Sequence, residues 1–122
     1  MVAYRRTADA FRAGDLETLR TLIAPDVVWH VPGRHAMAGD VRGLDELVAW
    51  LGRLRELGFT LREHDVLGND EHVCALSSMG AQRPGVDVET RVVSVFHFRA
   101  GLQAERWLYP EDMLAWEVIF DG

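Results

Sequence analysis

The stretch LDELVAWLGRLRELGFTLREHDVL, residues 44–67, changes period in its middle, and that change decides the fold. Leu44, Leu47, Val48, Leu51, Leu54 and Leu57 recur at i, i+3, i+4, i+7, i+10 and i+13, one face of an amphipathic helix. Asp45 and Glu46 fall in its first turn, where acidic groups complement the helix dipole, and Gly58 terminates it. From Phe59 onward the apolar spacing becomes two. Strands are predicted at residues 59–67, 72–83, 87–99 and 102–109, separated by Gly68-Asn69-Asp70, Pro84-Gly85 and Ala100-Gly101. Such short turns make consecutive strands antiparallel neighbours.

Upstream of that stretch the chain reads as two short helices. Tyr4, Ala8 and Phe11 share one face of the first, which ends near Gly14. Asp15 is placed to cap the second, whose stripe is Leu16, Leu19, Leu22 and Ile23, and Pro25 stops it. Residues 27–31 form a short β-rich segment, and residues 33–43 a loop with a short strand at Met37-Ala38. Downstream, Pro110 ends the last strand and residues 111–120 are a short tail. Helices followed by a run of antiparallel strands specify an α+β domain, and 122 residues make one domain, residues 1–122.

Composition narrows the partners. Asp and Glu number 19 against 13 Lys and Arg, a net charge of −6 that repels nucleic acid and anionic membranes. No apolar run approaches the ~20 residues that span a bilayer. The N-terminus has no apolar segment behind Arg5-Arg6, so no secretory signal is read and a cytoplasmic location is expected. Cys74 is the single cysteine, which rules out an intrachain disulfide and reads as a small buried hydrophobe.

Motifs for chemistry are sparse. His30 and His35 are separated by Pro32-Gly33, so they cannot pair on a helix, and no HExxH or Cys/His cluster exists. No metal and no cofactor are expected. Phosphate-binding glycine motifs and the Gly-x-Ser-x-Gly elbow are likewise absent. Trp29, Trp50, Trp107 and Trp116 with Phe59, Phe96 and Phe98 read individually as core, and together as the walls of a ligand cavity.

The order of elements resembles a known family. Residues 11–19, FRAGDLETL, are similar to the helix–Gly-Asp–helix opening of the nuclear transport factor 2-like superfamily. Residues 24–33, APDVVWHVPG, and 38–43, AGDVRG, resemble its first strand and following loop, and residues 99–107, RAGLQAERW, its last hairpin. The nearest branch is the SnoaL-like group, which includes polyketide cyclases. The resemblance implies a cone: N-terminal helices packed on a curved antiparallel sheet around an apolar pocket. It does not carry over the relatives' chemistry. The Tyr, the base and the donor Asp of ketosteroid isomerases fall at Thr7, Val31 and Val95, and the last-strand Asp of the cyclases and epoxide hydrolases falls at Leu108.

The same alignment implies the site. Trp29, Val31, Trp50, Leu54, Val95, His97 and Leu108 would border the cavity, with His35 and Arg106 completing the ligand-binding set. Arg91 is the remaining polar group nearby, and His30 lies with His35 at the mouth. His97 is the first candidate for a general acid–base group and His30 the second, although no carboxylate is visible to orient His97, which fits a wall residue better. The function expected is binding of a small hydrophobic ring compound, with cofactor-independent isomerase, cyclase or dehydratase chemistry as its enzymatic form. The alternative is a non-catalytic interaction module. Strand parity with this alignment turns Val92, Ser94, Phe96 and Phe98 outward, an apolar stripe expected to form a homodimer unless residues 113–120 fold over it.

Overall fold

A computed structural model describes residues 1–121. Helix α1 (Val2–Ala13) ends where Gly14 takes the left-handed conformation (φ 66°), returning its N–H to the last turn. Helix α2 (Leu16–Leu22) is capped by Asp15, whose carboxylate accepts from the Thr18 N–H at 3.1 Å. Strand β1 (Ile23–Val31) follows directly, β2 (Gly39–Arg42) pairs with it, and helix α3 (Leu44–Glu56) crosses to the main sheet. Strands β3 (Phe59–Gly68), β4 (His72–Arg83), β5 (Val86–Arg99) and β6 (Leu102–Pro110) form a meander, and helix α4 (Met113–Phe120) closes the chain.

Six strands build one curved, unclosed sheet in the order β2-β1-β6-β5-β4-β3, with the helices packed on it. Four of the pairings are antiparallel, whereas β1 runs parallel to β6. That seam arises because β1 is joined to the meander through α3, a crossover long enough to reverse direction.

The period-two reading of residues 59–109 matches the meander, and α3 buries Leu47, Trp50 and Leu54 along one stripe. Three local expectations are corrected. Ile23 belongs to β1, which begins before Pro25 and tolerates the missing N–H through a register shift between Ile23 and Val28. The short strand near residue 37 lies at Gly39–Arg42 instead. Residues 113–120 are a helix, capped by Asp112 accepting from Leu114 and Ala115 N–H groups.

Gly58 ends α3 for two reasons. Its φ is +74°, and a Cβ there would lie 2.1 Å from the Gln82 carbonyl oxygen. Arg83 then ties this corner to α4, donating to the carbonyls of Leu57 and Ile119, each at 2.9 Å.

Beneath the helices lie two apolar clusters. One gathers Trp29, Val31, Leu47, Trp50, Leu54, Leu108, Trp116, Ile119 and Phe120. The other gathers Tyr4, Val73, Ala75, Phe96 and Phe98. No helix among the described residues is long and apolar enough to cross a membrane.

Candidate functional site

The site follows from strand register. Arg106 on β6 stands opposite Trp29 on β1 and Phe96 on β5, so all three share the concave face. Its guanidinium carbon lies 4.5 Å from the Trp29 ring centroid and 4.6 Å from that of Phe96. The cation therefore sits between two aromatic faces at the seam of the two apolar clusters.

Its polar neighbours are few. Arg106 Nη2 donates to Ser94 Oγ at 2.9 Å, and Ser94 is fully buried. Trp29 Nε1 donates to Gln103 Oε1 at 2.7 Å. Arg106 Nε and Gln103 Nε2 are sealed from solvent without an acceptor. The Tyr4 ring meets Phe96 edge-on at 5.1 Å, and its hydroxyl donates to Glu63 at 3.0 Å, which Arg5 also holds at 2.7 Å. Burial, and then the charge of Glu63, pushes Tyr4 up to about 12. Burial pushes Arg106 down to about 10, with only Tyr4 opposing that shift. A guanidinium left in this state makes one of the hydrogen bonds its five N–H groups allow.

Trp29, Val31, Trp50, Leu54 and Leu108 are brought together in the interior cluster, each at most 7% exposed. His35 lies at its edge, stacked on Phe120 at 3.9 Å. It donates from Nε2 to the Pro32 carbonyl and accepts the Met37 N–H at Nδ1, which only the neutral ring can do. Burial lowers its pKa accordingly, against the Pro32 bond and the charges of Glu117 and Asp121.

Val95 and His97 are not part of this interior. The strand parity is as read, but the faces are exchanged: Val92, Ser94, Phe96 and Phe98 are buried inside, while Val93, Val95 and His97 lie on the convex face. Both faces of β5 are apolar, so alternation alone could not choose between them; the two Phe rings need the larger interior volume. The stripe expected to form a dimer is therefore core. Arg91 is also outside, on an outer cleft of about 390 Å³ with Arg62, His64, Ser78 and Glu89. Cys74 is half-buried on the convex face, opposite Val95.

His30 is on that same face, stacked on Trp107 at 5.5 Å and bridged to Asp40 at 2.8 Å and Glu105 at 2.6 Å. Burial acts to lower its pKa, but the bonds and charges of Glu105 and Asp40 outweigh it and raise it above the ordinary histidine value. With both nitrogens engaged, it fastens β1, β2 and β6 together. His97 packs 4.8 Å from His72 and has a sealed Nδ1 with no partner. Neither histidine faces the interior. Among the described residues, no group of three or more His, Cys, Asp or Glu converges to hold a metal ion.

Thr7 donates to the Ala3 carbonyl at 2.8 Å, and Val31 and Leu108 are buried apolar. The interior thus offers a cation and amide and hydroxyl groups, with Glu63 already held by Tyr4 and Arg5. The sequence reading turned Ser94 and Phe96 outward and left Gln103 out, since all three depended on the face of β5 and β6. The one signal for them was Arg106 itself, a charge alternating with apolar residues on an inner strand.

Comparison with known proteins agrees with this architecture. The sequence profile of the SnoaL-like domain matches residues 4–106. An uncharacterized protein of Mycobacterium tuberculosis is 43% identical over 91 residues, covering 71% of this chain and 70% of that protein. The structure of Bal32a, from a soil-derived mobile gene cassette, superposes with a TM-score of 0.89 at 29% identity, covering 98% and 94% of the two chains. IdmH of Streptomyces antibioticus, described as a candidate polyketide cyclase, shares the fold with a TM-score of 0.68 at 24% identity, covering 93% and 94%. The helix–Gly-Asp–helix opening, the six-stranded cone and the profile match over most of the chain lead to one assignment: the chain belongs to the SnoaL-like domain family.

Proposed function

We propose that this protein binds a small hydrophobic ring compound between its helices and the concave face of the sheet. The observation that carries this reading is the polar seam inside the cone. Arg106 Nε and Gln103 Nε2 lie within an aromatic interior without acceptors, an arrangement that costs stability unless another molecule completes it. Rings of Trp29, Phe96, Tyr4 and Phe11 surround the seam and suit a flat apolar body. The interior positions aligned with relatives' catalytic carboxylates hold buried, apolar Val31 and Leu108, so binding is favoured over acid–base catalysis. Native mass spectrometry with a panel of lipophilic ring compounds tests this. Retention of one compound at unit stoichiometry, lost in Trp29→Ala, is expected; no retained compound across the panel refutes it.

The convex face favours a second property, self-association. Leu67, Leu76 and Tyr109 are 52%, 37% and 55% exposed there, alongside half-buried Val93, Val95 and Trp107. A patch of this kind on a sheet is commonly covered by a two-fold copy. Helix α4 does not cover it, because Trp116, Ile119 and Phe120 pack into the interior cluster. Sedimentation at micromolar concentration is expected to give twice 13.8 kDa; a single 13.8 kDa species throughout refutes the dimer.

A further inference from the structure

The geometry points to a carboxylate on the bound ring as the partner of Arg106. This rests on the binding reading above and specifies its ligand class. The guanidinium carbon lies 4.5 Å from the Trp29 ring centroid and 4.6 Å from that of Phe96, on the two neighbouring strands. Its N–H groups are what such rings leave for a polar partner. Nη2 spends one bond on Ser94, Nε has no acceptor, and Nη1 makes no hydrogen bond among the described residues.

An edge of in-plane N–H donors matches a planar acceptor with two oxygens, which a carboxylate supplies and a ketone or hydroxyl does not. Charge argues in the same direction. Among the described residues Arg106 enters no salt bridge, and Glu63, bonded to the neighbouring Tyr4, is already held by Tyr4 and Arg5. A monoanion fits an aromatic interior, where the desolvation of a dianion such as phosphate would be far more costly. Gln103 Nε2, the second donor without an acceptor, belongs to the same seam through its bond with Trp29. The ring of the ligand would then lie against the apolar clusters on either side, with its acid group at their junction.

The test uses two matched probe pairs, 2-naphthoate with 2-naphthamide and biphenyl-4-carboxylate with its amide, titrated calorimetrically into wild type, Arg106→Met and Arg106→Lys at pH 7.5. Wild type is expected to bind each acid at least tenfold more tightly than its amide. Arg106→Met should lose that preference while keeping amide affinity within about threefold. Arg106→Lys, which keeps the charge but not the planar fork, should retain only part of it. Circular dichroism of both variants reports whether they fold, and Arg91→Met, on the outer cleft, removes a guanidinium away from the seam and should keep the preference. Equal affinity of acid and amide on wild type overturns the inference and leaves the binding reading intact. A preference that persists in Arg106→Met overturns the assignment to this residue. Failure of all four probes to bind overturns the binding reading and this inference together.

Discussion

Replacing Arg106 by Met should leave the fold as stable as before or make it more stable, although it removes a hydrogen bond and two cation–π contacts. Burial holds the Arg106 pKa down at about 10. Against the higher value of a free guanidinium, and at about 1.4 kcal/mol per pKa unit, this places roughly 3 kcal/mol against the charged form in the fold. Solvent contact by part of this half-buried side chain trims that figure. On the other side, each aromatic face returns about 0.5–1 kcal/mol, and loss of the Ser94 hydrogen bond costs about 1 kcal/mol. Met has the length to fill most of the slot between Trp29 and Phe96 and little shape preference of its own. The balance runs from no change to a gain of about 1 kcal/mol, or a rise in Tm of up to about 4 °C for a domain of this size. Urea denaturation with an unchanged m-value, supported by calorimetric Tm, is the assay. A loss above about 2 kcal/mol would show that the guanidinium is a structural centrepiece, and would remove the main reason for reading it as a ligand anchor.

Three other perturbations bear on separate parts of the molecule. The neutral, buried His35 has a lowered folded pKa, so its contribution is complete above the unfolded value of ~6.5 and is lost as pH falls below it. Wild type should therefore lose more Tm between pH 7 and 5 than His35→Phe, which keeps the stack on Phe120 and does not titrate; equal slopes refute this role. Glu63→Gln removes the ion pair to Arg5 and weakens the Tyr4 bond, so the α1 amides should exchange faster and Tyr4, now held up mainly by burial, should titrate lower. A stability loss of about 0.5–1.5 kcal/mol is expected, and unchanged exchange over residues 2–13 refutes the latch. Val95→Arg on the convex face should abolish the dimer with less than about 1 kcal/mol change in monomer stability; a dimer that survives it must use another surface.

The order of two short helices, one long helix and a meander was legible because each depends on local chemistry. Gly14, Gly58 and the turn at Gly68-Asn69-Asp70 mark their ends by conformations that few other residues adopt, and Leu47, Trp50 and Leu54 announce the buried stripe of α3 by spacing alone. Trp29, Trp50, Leu54 and Leu108 could be assigned to one interior for the same reason: large apolar side chains on elements already placed have few other destinations. The direction of the β1–β6 seam and the helical state of residues 113–120 were not local properties. Parallel pairing is set by where the α3 crossover returns the chain, and α4 is stabilised by Trp116, Ile119 and Phe120 entering a cluster assembled from distant segments.

What the chain's own pattern determined, then, was which residues alternate; what tertiary structure decided was which alternate set faces in. On β5 both sets are apolar, Val92-Phe96-Phe98 against Val93-Val95, so the hydrophobic effect acting on one strand is nearly symmetric. The choice is made by volume and by neighbours: Tyr4 packs edge-on against Phe96, Ser94 sits beneath the Arg106 donor, and Val95 is left opposite Trp107 on the convex side. That single choice moves His97 out of the interior and brings Phe96 and Ser94 to Arg106. The candidate site is therefore a property of the assembled sheet, because its groups meet only across three strands that are brought side by side in the fold.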